Sequence, residues 1–378
     1  MRAMLARTTA IILSAAAPAV AGSASAPTAL TTSSIYIPCS ASALATAIAS
    51  ASEGTILTLS RFCTYKLASP LPSIAANLII RGNGATIERS PASGTPEFTM
   101  LDVGFDSSVT ISNLSFRNAA ADKQGAAGAI ENDGDLTIRG GSFVGNTTVG
   151  FGGAIDNSGT LTVTGATFSR NLSADGGAIE NLDTIYISDS HFVNNEASFN
   201  GGAVHNEGQA TVTDSQFAGN AAVSSGGGIF NGVDGTASTV ADSTFQGNRA
   251  LFGGGVFNED IVNLTGSLFY ANLSFDQGGG IYTNSVLAVT NSKIVRNTAA
   301  GGGGIYNGNA FGAPGTVTLT DSTVLANQPD NCEPVSSIMS CRDTPLTAPR
   351  SPRPAGTPNA TPSQSPTLAG DFSPQPGH

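Results

Sequence analysis

Apolar and small residues return at a fixed distance along most of this chain. A six-residue phrase, clearest at Gly152–Asn157, recurs eight times, and its copies begin at Ala127, Gly152, Gly176, Gly201, Gly226, Gly253, Gly278 and Gly302. The steps between copies are 25, 24, 25, 25, 27, 25 and 24 residues. A period this steady predicts a repeat architecture, in which each repeat stacks on the next because none can bury its apolar face alone.

A second phrase in each repeat alternates apolar and polar residues. Around Phe168, apolar residues lie seven and five positions earlier, at Leu161 and Val163. This period of two predicts a strand with one buried face. The anchoring position is apolar in every repeat: Phe143, Phe168, Phe192, Phe217, Phe245, Phe269, Ile294 and Val324. Stacked short strands predict an all-β fold, a parallel β-helix of roughly ten rungs, right-handed by the crossover rule for parallel strands.

The repeats divide the chain into four segments. Residues 1–26 read as a secretory signal peptide with cleavage between 21 and 26, because two arginines precede a short apolar stretch. Residues 27–104 form an N-terminal cap with irregular first rungs, and residues 105–343 hold the regular repeats. Residues 344–378 are rich in Pro, Ser and Thr and predict a disordered tail.

The cap begins with a short helix. Leu44, Ala47 and Ile48 have helical spacing, Ser40 or Ser42 can cap the start, and Gly54 can end it. A stack of strands needs such a cover, because its terminal edge presents unpaired backbone groups.

Composition narrows the function classes. A formal net charge of −11 without any basic run argues against nucleic acid and anionic membranes as partners. No apolar stretch after the signal is long enough to cross a membrane.

Four cysteines suit an oxidising compartment, and the simplest of three connectivities pairs Cys39 with Cys63 and Cys332 with Cys341. A zinc site is the alternative, although the three histidines show no ligand spacing with the cysteines. We expect no metal and no cofactor.

The paired phrases resemble the repeat of the polymorphic outer membrane proteins. Gly-Gly-Ala-Ile at Gly152–Ile155 pairs with Phe-x-x-Asn at Phe168–Asn171, and the next two repeats follow the same pattern. The resemblance covers roughly residues 105 to 330. It implies a right-handed parallel β-helix used at bacterial surfaces, often in adhesion. Only about fifty residues follow the last repeat, so we expect no autotransporter barrel.

Two asparagine columns accompany the repeats, one ending each phrase. The first contains Asn132, Asn157, Asn181, Asn206, Asn231, Asn258 and Asn307, and the second contains Asn146, Asn171, Asn195, Asn220, Asn248, Asn272, Asn297 and Asn327. Stacked amides satisfy turn backbone and one another. We interpret both columns as structural.

The fifth position of the first phrase carries the candidate chemistry. It reads Glu131, Asp156, Glu180, His205, Phe230, Phe257, Tyr282 and Tyr306. Because the fourth position is apolar, alternation predicts that the fifth faces outward. Asp156 and Glu180 then lie about 4.8 Å apart, a separation that glycosidases use, with His205 beside them. The alternative interpretation is a solvated acidic stripe, which we favour.

The aromatic half of this column has two interpretations as well. Phe230, Phe257, Tyr282 and Tyr306 form a flat ladder that could stack sugar rings. The third position changes from Ala to Gly where the fifth becomes aromatic. If both positions share a face, each ring covers a bare glycine and the ladder is packing.

Three functions fit these observations. The leading hypothesis is a secreted or cell-surface binding protein, adhesin-like and without catalytic activity, which contacts an extracellular polysaccharide or other cell-surface ligand through Phe230, Phe257, Tyr282 and Tyr306. The second is a polysaccharide-degrading enzyme, a glycoside hydrolase or lyase, with Asp156 and Glu180 as acid and base and His205 beside them. The third is a structural spacer. Fold alone does not choose among them.

Overall fold

The computed structural model describes residues 33–122, 125–233, 237–309, 314–338 and 341. The predicted signal peptide and C-terminal tail lie outside these residues. In the described part of the chain, one nine-residue α-helix, Ala41–Ala49, and a 3-10 turn, Val335–Ser337, accompany three parallel sheets. Within the described residues, no helix combines the length and apolar character needed to cross a membrane.

Sheet A is the largest of the three sheets, with 21 strands. It contains Ser34–Ile37, Thr55–Leu59, Thr64–Leu67, Leu78–Arg89, Ser108–Arg117, Asp135–Arg139, Ser142–Val144, Thr160–Thr164, Thr167–Ser169, Thr184–Ser188, His191–Val193, Gln209–Thr213, Gln216–Ala218, Ala237–Ala241, Thr244–Gln246, Ile261–Thr265, Leu268–Tyr270, Val286–Thr290, Lys293–Val295, Thr316–Thr320 and Thr323–Leu325.

Sheets B and C hold shorter strands. Sheet B has 10 strands, Leu101–Val103, Ile130–Asn132, Ile155–Asn157, Ile179–Asn181, Val204–Asn206, Ile229–Asn231, Val256–Asn258, Ile281–Thr283, Ile305–Asn307 and Cys332–Glu333. Sheet C has seven, Ala120–Ala121, Thr147–Thr148, Leu172–Ser173, Glu196–Ala197, Ala221–Ala222, Arg249–Phe252 and Leu273–Gln277.

The first turns add strands to sheet A alone, the turns between Leu101 and Gln277 add to all three sheets, and the last turns add to sheets A and B. Together they make a parallel β-solenoid of about 12 turns. The predicted fold class is therefore confirmed. Roughly ten rungs were predicted, and the extra turns lie near the N-terminus, where the six-residue phrase is missing.

The core is a column of phenylalanine rings inside the solenoid. Neighbouring rings lie 4.5 to 5.2 Å apart and nearly parallel, and the column contains Phe116, Phe143, Phe168, Phe192, Phe217, Phe245 and Phe269. All seven are fully buried. Burial of a phenylalanine contributes roughly 1.5–3 kcal/mol, so this column is a main source of stability.

Both asparagine columns are hydrogen-bonded ladders, as predicted. In the first, each side-chain amide from Asn132 to Asn231 donates to the next asparagine at 2.5 to 3.0 Å. In the second, each amide from Asn146 to Asn327 donates to the next at 2.9 to 3.1 Å. These bonds fix the vertical register of the turns.

The N-terminal end of the solenoid carries the predicted helix, and both predicted disulfides are present. Ser40 caps the helix, since its hydroxyl accepts a hydrogen bond from the Ala43 N–H. Leu44, Ala47 and Ile48 are buried against the first turns. Disulfides join Cys39 to Cys63 and Cys332 to Cys341. The zinc alternative is thereby set aside.

Candidate functional site

The fifth-position column runs along the middle of sheet B. Each member occupies the central position of a three-residue strand and lies in register with its counterpart on the next turn, so that Glu131, Asp156, Glu180 and His205 follow one another. Two further acids extend the column: Asp102 pairs with Glu131, and Glu333 pairs with Tyr306. Sequence reasoning missed these two, because neither follows a Gly-Gly phrase.

The column lies outside the main core, yet its centre is shielded from solvent. None of its members belongs to the core cluster, which agrees with the predicted outward direction. Asp156, Glu180 and His205 are only 7%, 3% and 6% exposed, and Phe230 and Phe257 are buried too. The favoured interpretation of a solvated acidic stripe was therefore wrong. Alternation predicts which side of a strand a residue faces, but it does not predict what covers that side.

Glu180 and His205 form a buried ion pair. His205 Nδ1 lies 2.7 and 2.9 Å from the two carboxylate oxygens of Glu180. Its other ring nitrogen, Nε2, lies 3.6 Å from Glu207 Oε1, which is half exposed. The imidazole thus connects a buried carboxylate to one at the surface.

Burial and charge raise the pKa of both partners. Burial raises the pKa of Glu180, and the hydrogen bond from His205 offsets this only in part. For His205, burial by itself would lower the pKa, but the hydrogen bond and charge of Glu180 outweigh it, so the pKa lies above its ordinary value. The imidazole of His205 therefore holds its proton to a higher pH than a free imidazole does.

Asp156 is the most perturbed carboxyl in the column. Burial, with the charges of Glu180 and Glu131 added, raises its pKa from 3.8 to about 7. Its Oδ1 is buried without a hydrogen-bond partner among the described residues. Asp156 and Glu180 are neighbours in register. Burial raises the pKa of both carboxyls, but only Glu180 has a histidine partner that opposes the rise. Two neighbouring carboxyls in different surroundings are what acid–base chemistry between them requires.

The aromatic half is a continuous stack, here named the aromatic ladder: Phe230, Phe257, Tyr282 and Tyr306. Ring centroids lie 5.3, 4.7 and 5.4 Å apart, with interplanar angles of 15° or less. His205 lies against the Phe230 end at 4.6 Å. Each internal ring therefore has both faces covered by its neighbours. The tyrosines are partly exposed, but the ladder offers ring edges to solvent rather than faces.

The third position of the phrase does not share a face with the ladder. Ala129, Ala154, Ala178 and Ala203 are buried in the core. A methyl group on Gly228 would meet the core ring of Phe245 at 2.9 Å and the Gly255 carbonyl oxygen at 2.6 Å. The expectation that ladder rings cover bare glycines was therefore wrong. Each sheet B strand begins only at the fourth position, so strand alternation does not extend back to the third.

A second surface feature follows sheet C and was missed by sequence reasoning. Here named the apolar ridge, it comprises large apolar side chains from six consecutive turns, each 38 to 65% exposed: Val149, Phe151, Leu172, Phe199, Val223, Leu251 and Phe275. At the spacing of neighbouring strands it is about 24 Å long. Four members lie three residues after an asparagine of the second column, but Leu172, Phe199 and Phe151 lie one, four and five residues after theirs, so a single offset reveals only part of the ridge.

The rings of the ridge differ from those of the ladder in one respect. Among the aromatic contacts of the described residues, none involves Phe151, Phe199 or Phe275. Their faces are not covered by other rings. Exposed apolar arrays of this kind mark contact sites on soluble proteins.

Comparison with known proteins supports the fold and leaves the function open. Residues 77–245 match the family model described as a right handed beta helix region. No curated protein matches the chain. The match and the parallel solenoid together identify a right-handed parallel β-helix, a fold compatible with adhesins and with polysaccharide-degrading enzymes.

Proposed function

We propose that this chain is a secreted or cell-surface β-helix protein that binds a neutral extracellular polysaccharide along the apolar ridge. The observation that carries the proposal is the exposure of large apolar side chains on six consecutive turns at one corner of the solenoid. Solvent exposure of such side chains in series has no folding benefit, because burial is what makes them stabilising.

The exposed phenylalanine rings of the ridge and the negative net charge of the chain favour a neutral polysaccharide as the ligand. Phe151, Phe199 and Phe275 present ring faces that are not covered by other aromatic rings, and such faces suit the apolar faces of sugar rings. A net charge of −11 disfavours an anionic polymer. The resemblance to polymorphic outer membrane protein repeats, which implies adhesion at bacterial surfaces, supports the same proposal. This proposal therefore places the ligand on the apolar ridge, whereas the sequence hypothesis placed it on the aromatic ladder.

Retention on a panel of insoluble neutral polysaccharides tests the proposal. We expect the wild-type protein to be retained on at least one of them without releasing sugars. A variant with Phe151→Ser, Phe199→Ser and Phe275→Ser should pass through the same column. Retention on no member of the panel would support the spacer hypothesis instead, and equal retention of the variant would contradict the role of the ridge.

A glycoside hydrolase or lyase is the second candidate, favoured by one observation. Asp156 and Glu180 are buried neighbours in register, and only Glu180 is paired with a histidine, at the roughly 5 Å separation of retaining glycosidases. Their burial argues against access by a polymer. For this test the panel also includes polymers of uronic acids, because only these can yield the unsaturated sugars of a lyase. If the neutral members release reducing sugars or the uronic acid polymers release unsaturated ones, and Asp156→Asn and Glu180→Gln each abolish that release, the enzyme hypothesis replaces the binding one.

A further inference from the structure

Basic side chains gather on the outer face of sheet A across five consecutive turns, from Thr55 to Arg170. Here named the basic patch, they are all exposed and comprise Arg61, Lys66, Arg81, Arg117, Arg139 and Arg170. They are widely spaced in the sequence, so no basic run reveals them. The solenoid brings them together because each turn adds a strand to the same face.

The cations of the basic patch alternate between two columns. Arg81 and Arg139 lie in one column, two turns apart. Lys66 and Arg117 lie in the other column, also two turns apart. Arg170 directly follows the residue that continues the second column on the fifth turn. Each of the five turns therefore places one cation on one side or the other, at steps of about 4.8 Å along the solenoid.

None of these cations has an anionic partner within the described residues. The salt bridges found there involve His205 and no lysine or arginine. Glu88, the one carboxylate in the two columns, accepts a hydrogen bond from the Asn118 amide at 2.9 Å. The guanidinium of Arg61 lies over the ring of Phe62, 4.6 Å from its centroid, at the corner between the columns. Unpaired cations at this density repel one another, so a bound anion lowers their free energy.

The basic patch ends where the corner between the columns becomes acidic. Asp189, Asp214 and Asp242 occupy that corner on the next three turns, each following the first column. The net charge of −11 describes the whole chain, whereas salt limits the reach of an exposed charge to about 8 Å at physiological ionic strength. The patch therefore acts as a local positive surface about 19 Å long.

Hydroxyl groups line the strip between the two columns. Thr64, Thr86, Ser115 and Ser142 stand there in register, and each is at least partly exposed. A hydroxyl both donates and accepts hydrogen bonds. A ligand that carries its own hydroxyls along an extended chain suits this strip better than an acyl chain does.

We propose that the basic patch binds a linear anionic polysaccharide with one charged group on each sugar. In an extended chain with two-fold symmetry, successive sugars turn their charged groups to opposite sides, which matches cations that alternate between two columns. Guanidinium groups bind such oxyanions through paired N–H donors. The patch lies on sheet A and the apolar ridge follows sheet C, so this inference goes beyond the proposed function and does not depend on it.

Calorimetric titration of the full chain at low salt tests the proposal. The probes are an oligomer of mannuronic acid long enough to span the patch, single-stranded DNA, and vesicles of phosphatidylglycerol. We expect the acidic oligosaccharide to bind, and to bind more weakly as salt is added, because the contacts are between exposed charges. DNA and vesicles should bind less tightly than the oligosaccharide.

Two double variants with the same change in net charge show whether the patch is the site. Arg81→Gln with Arg139→Gln should weaken binding of the acidic oligosaccharide at least about tenfold, because two charge-assisted contacts are lost. Lys293→Gln with Arg296→Gln, on a later turn, should bind like the wild type. The circular dichroism spectrum should be the same for all three proteins, since the four side chains are exposed.

Four results would overturn the proposal. They are no binding of the acidic oligosaccharide, binding that salt does not weaken, equal affinity of the two double variants, and tighter binding of DNA or vesicles than of the oligosaccharide.

Discussion

The aromatic ladder and the apolar ridge run along the same solenoid but use phenylalanine in opposite ways. In the ladder, Phe230 and Phe257 are buried with both faces stacked on neighbouring rings. On the ridge, Phe199 and Phe275 are more than half exposed. The difference teaches that a repeating aromatic column is not in itself a binding strip, because stacking between turns uses the faces that a ligand would need.

The largest expected difference between the two regions is in stability. Phe257→Ala should lower the free energy of unfolding by about 3–5 kcal/mol, since it leaves a cavity between Phe230 and Tyr282. Phe199→Ala on the ridge should change it by less than about 0.5 kcal/mol, as for most surface substitutions. Urea unfolding followed by circular dichroism measures both. Equal effects would remove the distinction between ladder and ridge.

A smaller change in the free energy of unfolding is expected when pH changes the protonation of the acidic half of the column. The unfolded chain releases the Asp156 proton near the ordinary pKa of 3.8, whereas the folded chain holds it up to about pH 7. Between these values the folded state binds more protons, so stability falls as pH rises, by at most about 1.4 kcal/mol per pH unit from this group.

Asp156→Asn should reduce this dependence, because an amide does not titrate. The measurement is the free energy of unfolding from pH 4 to 8 for both proteins, with Glu196→Gln as a control that should follow the wild type. The pKa of Glu180, also raised, adds a fall in the same direction that remains in the variant. An unchanged slope between pH 4 and 7 in Asp156→Asn would show that Asp156 ionises normally in the folded state.

The smallest expected effect concerns the exposed end of the ladder. Tyr282→Ala together with Tyr306→Ala should change polysaccharide retention less than threefold, because the two rings offer mainly their edges to solvent. The wild-type protein and this double variant are compared on the same column. A loss of retention as large as that of the ridge variant would indicate that the ligand binds the ladder instead.

Much of the fold could be predicted from the sequence, because a parallel solenoid repeats its contacts at the period of the chain. Phe168 stacks on Phe192, and Asn157 donates to Asn181, as the columns indicated. The disulfides followed from pairing neighbours in sequence. In both ladders, one residue meets its own counterpart one turn later.

The candidate site was harder to predict, because it depends on contacts between different positions of the repeat. Asp156 lies outside the main core yet is only 7% exposed, which the alternation within its strand does not indicate. The ridge was missed for the same reason, since Val149 and Phe199 stand at different offsets from their asparagines. Asp102 and Glu333 lie in turns without the Gly-Gly phrase, so the repeat pattern does not identify them as members of the column.

The dissociation constant for a polysaccharide that retains the wild-type protein tests the central claim most directly. Two triple variants are compared: Phe151→Ser, Phe199→Ser and Phe275→Ser on the ridge, and Tyr36→Ser, Phe62→Ser and Phe105→Ser, which remove exposed rings elsewhere. Central aromatic contacts typically contribute more than about 1 kcal/mol each. We predict that the ridge variant binds at least about a hundredfold more weakly at an unchanged unfolding midpoint, while the control variant binds like the wild type. Equal affinity of the two variants would contradict the assignment of the ridge as the contact surface.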